Sequence, residues 1–160
     1  MKFKNHIRSG ISFGLTSSII TTIGLMVGLF SGTHSRLVVV GGILVIAIAD
    51  SLSDSLAMHI SEESTGNEGS RDIWASTLST FGAKFFFAII FVVPLLLFEL
   101  STAIIVSIAL GLFLIAVFSI WIARSQSKNQ AKVAGEHLLI AIVVIVLAYL
   151  AGTWIATIFG

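Results

Sequence analysis

The sequence predicts an all-α membrane protein: five transmembrane helices in one bundle, with the N-terminus inside and the C-terminus outside. Three observations predict it. Of the 160 residues, 56% are hydrophobic and 11% charged, and the mean hydropathy of +1.06 lies well outside the range of a soluble domain. The apolar residues fall into five runs, at about 7–31, 36–61, 73–98, 101–123 and 133–158, each long enough for the roughly 20 helical residues that cross a ~30 Å hydrocarbon core. The basic residues cluster between the runs. With five spans and a cytoplasmic N-terminus, Lys2, Lys4, Arg8, Arg71, Arg124, Lys128 and Lys132 all fall inside, leaving only Arg36 outside.

Composition also excludes several classes. A formal net charge of +1 spread over short connections supports no nucleic-acid partner. Without cysteine there are no disulfides, thiolate metal sites or cysteine nucleophiles, so any metal is held by oxygen, with His or Met assisting. The basic start, Met1 to Arg8, could introduce a signal peptide, but the apolar run continues to about Phe30, and a retained first helix is expected. Nothing resembles a linker, so residues 1–160 read as one transmembrane domain in a prokaryotic inner membrane.

The first segment carries small and hydroxylic residues, Gly10, Gly14, Ser17, Thr21, Gly24 and Gly28, at spacings of three and four. Such a face lets another backbone approach closely. Ser17, Ser18 and Thr21 can also lend oxygens to a pathway, and the two roles are compatible.

The second segment is where chemistry concentrates. Asp50 and Asp54 share one helical face, which Met58 and Glu62 continue. A central Asp costs roughly 2.5–3.5 kcal/mol on insertion scales, against about 0.3–0.6 returned by each buried aliphatic. The twelve Leu, Ile and Val residues from Leu37 to Ile60 therefore about cancel two such acids. A helix this marginal is expected to turn its acidic face inward. At about 1.5 Å per residue Asp50 lies ~18 Å from Glu62, near mid-membrane, so Asp50, Asp54, Met58, His59, Glu62 and Glu63 read as a ladder of metal ligands toward the cytoplasm.

In the third segment Lys84 sits at the depth of Asp50, counted from the other side of the same loop. It is either their counter-ion or a long stem snorkelling to one surface. Pro94, the only proline, lies near the outer end, where a helix breaks cheaply. The fourth segment has no ionisable group before Arg124 and reads as lipid-facing scaffold. The fifth opens with Lys132, Glu136 and His137. Glu136 and His137 either join a cation-collecting vestibule or sit at the surface, with Glu136 paired to Lys132 at i, i+4. Tyr149 and Trp154 suit an interface.

No nucleophile, base and oxyanion site can be assembled, so no enzyme is expected and a catalytic site is the weakest reading. Two acids with hydroxyls at mid-membrane suit a hard or borderline divalent cation, and protons compete for the same carboxylates. That competition is the physical basis of cation/proton antiport. The competing reading is a non-transporting scaffold or assembly protein whose acids pair with Lys84.

Phe13-Gly14-Leu15-Thr16-Ser17-Ser18 with Gly24, Leu25 and Gly28 resembles the first helix of the vacuolar iron transporter family, the yeast calcium cross-complementer type of iron and manganese transporter. Gly41-Gly42, Ala49 to Asp54 and Ser61-Glu62-Glu63 continue the resemblance in the second helix. Glu136 to Ile140 and Ala148 to Gly152 are similar to the closing helix. The resemblance implies five spans, a homodimer, and export of ferrous iron or manganese from the cytoplasm in exchange for protons, the cation being cargo rather than a bound cofactor. This chain departs from the family at specific places. Ser17 stands where members usually have Asp, Leu52 where they have Met, and Ser55, Leu56 and Ala57 where they have Gly-Glu-Tyr. Those ligands do not transfer. The metal-binding insertion of plant members is reduced to a short loop with Glu62, Glu63, Glu68 and Asp72, so Asp50 and Asp54 are expected to take over the work of the first-helix acid.

Overall fold

The computed structural model describes residues 2–66 and 69–159, with side chains from residue 4. Glu68 and the side chain of Lys2 lie outside the described residues. The chain is helical throughout: α1 (Lys2–Thr33), α2 (Arg36–Ser64), α3 (Ser70–Ile90), α4 (Val92–Leu97), α5 (Leu100–Ser125) and α6 (Gln130–Phe159). Among the described residues five helical spans are long and apolar enough to cross a membrane, with α3 and α4 together forming the third. The chain thus reads as an integral membrane protein. Each span outruns its expected apolar run by a few polar residues, since a helix continues past the hydrocarbon as long as its backbone bonds are made internally.

Turns are tight. His34 closes α1 in the left-handed region (φ 48°), its N–H returning to the Phe30 carbonyl at 2.9 Å. Ser127 does the same between α5 and α6 (φ 53°), and Asn129 Oδ1 accepts the Lys132 N–H at 3.1 Å to cap α6. In the third span the ladder is interrupted at Phe91. Pro94 has no N–H to offer the Ile90 carbonyl and its ring crowds that oxygen, so a short second helix, α4, restarts at Val92.

Packing divides the chain into two compact units, Met1–Ser18 with Ile43–Ile90, and Ile19–Gly42 with Phe91–Gly160, so that α1 and α2 each contribute to both. In the first unit α3 buries Ile73, Ser76, Thr77, Thr80, Lys84 and Ala88, a stripe recurring at three and four. Gly14 lets α1 lie directly on this stripe: a Cβ there would stand 2.6 Å from the Thr80 carbonyl oxygen.

In the second unit the rest of α1 is the core element, with Ile19, Ile23, Met26 and Val27 buried. The small-residue face meets α6 here, where a Cβ at Gly32 would stand 3.2 Å from the Gly152 carbonyl oxygen. Ser31 Oγ lies within bonding distance of the Tyr149 carbonyl, at 3.2 Å. α5 packs against α4 and α6. It is less of a lipid-facing scaffold than expected, because Ala103, Ser107, Gly111, Ile115 and Ser119 form a buried stripe and Ile23 rests on Gly111. The least buried span is α6: 11% of its apolar window is buried, against 33% for α5.

Candidate functional site

The site lies within the first unit and is built from α1, α2 and α3. On α2 the buried face is Ile43, Ala47, Ser51 and Ser55. Asp50 and Asp54 immediately precede the last two and so lie about 100° round the helix. The acids therefore stand at the rim of the packed face, their side chains 29% and 25% exposed. The acidic face does meet other helices, through Ser17 of α1 and Lys84 of α3, although it stops at the edge of the packing. The fully buried member is their partner.

Lys84 is 2% exposed, and its four-carbon stem runs from the buried stripe of α3 to the rim. Its Nζ lies 2.7 Å from Asp50 Oδ2 and also pairs with Asp54 Oδ2. The same Nζ donates to Ser17 Oγ at 3.1 Å, and Ser17 donates its own hydrogen to Asp54 Oδ2 at 3.0 Å. Ser18 Oγ donates to the Lys84 carbonyl at 2.7 Å, tying α1 to α3 at this level. Snorkelling is excluded by these contacts. An ammonium taken out of water costs several kcal/mol unless charge and hydrogen bonds replace its hydration, and here two carboxylates and a hydroxyl occupy its three donor directions. Two hydroxyls of the same unit, Ser51 Oγ and Thr80 Oγ1, are buried without a hydrogen-bond partner.

Farther along α2 the ladder divides into separate pairs. Met58 is half-buried. His59 Nδ1 lies 3.0 Å from Thr77 Oγ1, and its ring meets Trp74 edge-on at 4.9 Å. Thr77 donates its only hydroxyl hydrogen to the Ile73 carbonyl at 2.8 Å, so His59 is the donor in that pair, and in the neutral imidazole Nε2 bears the lone pair. His59 lines an apolar groove of about 350 Å³ with Leu52, Leu56 and Trp74. Glu62 pairs with His6 Nδ1 at 2.9 Å, each side chain 14% exposed, and Glu63 is exposed. His6 is the site-region residue that sequence reading missed. It stands in the polar start of α1, which the charge pattern puts on the same side as Glu62 but which only packing makes its neighbour.

Thr21, Glu136 and His137 belong to the second unit. Thr21 is half-buried and Glu136 exposed, while His137 Nδ1 lies 2.7 Å from Ser119 Oγ. Among the described residues no ion pair joins Lys132 to Glu136. Nor do three His, Asp or Glu side chains anywhere among them converge into a ready-made metal cage. The arrangement that does form sets two carboxylates against one ammonium, leaving one negative charge in excess among hydroxyls and apolar side chains. Such a site can accept one further positive charge, as a proton or as part of an exchanged cation. Comparison with protein-family models, curated proteins and solved structures finds no match to this chain.

Proposed function

We propose that this protein carries divalent cations, iron or manganese, out of the cytoplasm in exchange for protons, with Asp50 and Asp54 meeting the cargo. The observation that carries the proposal is the charge excess at Lys84. Two carboxylates at the rim of a membrane helix hold one fixed ammonium, and both remain partly open. A proton on either carboxyl neutralises the excess. A divalent cation needs both carboxylates, and so displaces the ammonium from between them. Proton and metal then exclude one another at a single site, which is the requirement for exchange. Ser17 adds an oxygen at the same place, and the unpartnered hydroxyls of Ser51, next to Asp50, and Thr80, one turn before Lys84, are further hard donors in the unit. His59, with a lone pair on Nε2, and the exposed Glu63 suit the collection of cations at the cytoplasmic mouth. The resemblance to the vacuolar iron transporter family supplies the choice of metals, the direction and the homodimer.

The test is flux in proteoliposomes, read by quenching of a lumenal metal indicator with Fe(II), Mn(II), Co(II), Zn(II) and Ca(II), with a pH gradient imposed and then collapsed. Asp54→Asn is expected to abolish Fe(II) and Mn(II) flux at normal expression. Undiminished flux in that variant removes the site. One observation favours a second reading, a scaffold with a structural Asp–Lys pair: Lys84 is fully satisfied within its own unit. On that reading Asp50→Asn with Lys84→Met is better tolerated in expression and assembly than either single change, and the wild-type protein moves no metal.

A further inference from the structure

The end of α5 in the second unit carries a surface groove that cation transport leaves unexplained. Val117, Ile120, Trp121 and Arg124 line a depression of about 290 Å³. Its floor is apolar, and its one charged wall is the guanidinium that ends the helix. Val117 and Trp121 are half exposed, at 49% and 50%, although both are apolar in character. Arg124 Nε donates to Gln130 Oε1 at 3.1 Å, which holds the guanidinium across the turn between α5 and α6. Lys128 lies in that turn and Lys132 in the first turn of α6. All three basic side chains are exposed, and among the described residues none is in a salt bridge.

We propose that this groove is a binding site for one anionic glycerophospholipid. Charge complementarity and the order of the lining residues identify the occupant. Going along α5, aliphatic Val117 and Ile120 come first, then Trp121, then Arg124, and the lysines follow. That is the order in which a lipid presents acyl chain, glycerol interface and phosphate. Trp121 has the amphipathic ring that favours the headgroup level, and the guanidinium can hold a phosphate bidentately. A zwitterionic lipid offers the same chains and phosphate but adds an ammonium that the basic cluster repels. Selectivity is therefore for net negative headgroups, about fivefold for each basic residue close to the surface. The proposal is independent of what the acids of the other unit do.

The experiment uses the full-length protein with Trp74→Phe and Trp154→Phe, so that Trp121 alone reports. It is reconstituted in phosphatidylcholine bilayers into which dibromo-phosphatidylglycerol or dibromo-phosphatidylcholine is titrated. Quenching of Trp121 is expected to saturate at a mole fraction of the anionic lipid at least fivefold lower than of the zwitterionic one. Arg124→Gln lowers that preference about fivefold, and Arg124→Lys retains most of it. Val117→Trp fills the groove while leaving every charge and Trp121 in place, and is expected to lose the phosphatidylglycerol that the unaltered protein retains through delipidation and native mass spectrometry. Equal quenching by the two lipids overturns the proposal. So does lipid retention unchanged by Val117→Trp, which would show a diffuse attraction of the basic turn rather than a seat.

Discussion

At Lys84 the chain does something costly, and the asymmetry of exposure says which member of the cluster bears the cost. The ammonium is 2% exposed while its two carboxylates are 29% and 25% exposed. Losing both acids strands a buried cation, whereas losing the lysine leaves two neighbouring carboxyls that can share a proton and so shed their repulsion. Asp50→Asn with Asp54→Asn should therefore cost about 3–5 kcal/mol, the range for an uncompensated buried charge, and Lys84→Met less than half as much. Urea titration in a mild detergent, followed by circular dichroism, measures both. A larger loss for Lys84→Met would mean that the carboxylates, not the ammonium, are the members that depend on the pairing. Much of this cluster was legible in the sequence. Acids four apart in an apolar run, and a lysine at matching depth across a short loop, define it. What was not legible is that the acids stand at a rim and only the lysine is buried, because periodicity assigns residues to faces without saying where a face ends.

At the scale of the helix, the spacing of glycines decides how closely backbones approach. Gly14 and Gly82 are both interior to helices, yet their surroundings are opposite. A Cβ at Gly14 meets the Thr80 carbonyl oxygen at 2.6 Å, while a Cβ at Gly82 meets nothing within 4 Å. Gly14→Ala should therefore destabilise by about 1–3 kcal/mol through overpacking, lowering the thermal midpoint in detergent. Gly82→Ala should be neutral or stabilising by up to about 1 kcal/mol, the difference in helix propensity. If the two variants melt alike, the close approach of α1 and α3 is wrong. The third span shows another effect of local chemistry. After the break before Pro94, the exposed carbonyls at the end of α4 are met by Arg36, whose Nη1 and Nη2 donate to Leu95 and Phe98 at 2.8 Å each. Arg36 was legible only as an isolated charge on the outer side. Its role as a cap depends on the start of α2 lying beside the end of α4, a distance between segments that sequence alone does not give.

For the molecule as a whole, the proposed topology of five crossings predicts that Lys4 and Phe159 lie on opposite faces of the membrane. The protein has no cysteine, which makes the test direct. Lys4→Cys and Phe159→Cys, each as the sole thiol, should differ in reactivity toward a membrane-impermeant maleimide in sealed inverted vesicles. Lys4→Cys is expected to label there and Phe159→Cys only after permeabilisation. Labelling of both positions from one side would reduce the number of crossings to an even number.

Burial of apolar surface is a sum over residues, and sums survive without knowledge of the fold. The sequence therefore determined by itself that the chain is helical, that five spans can cross a membrane, roughly where each lies, and which two acids and one lysine sit expensively within them. Partnership is a property of distance, and distances between segments are set by packing. Only the tertiary structure decided that Ser17 bridges Lys84 and Asp54, that Glu62 belongs to His6 and His59 to Thr77, and that α6 rather than α5 is the more exposed span.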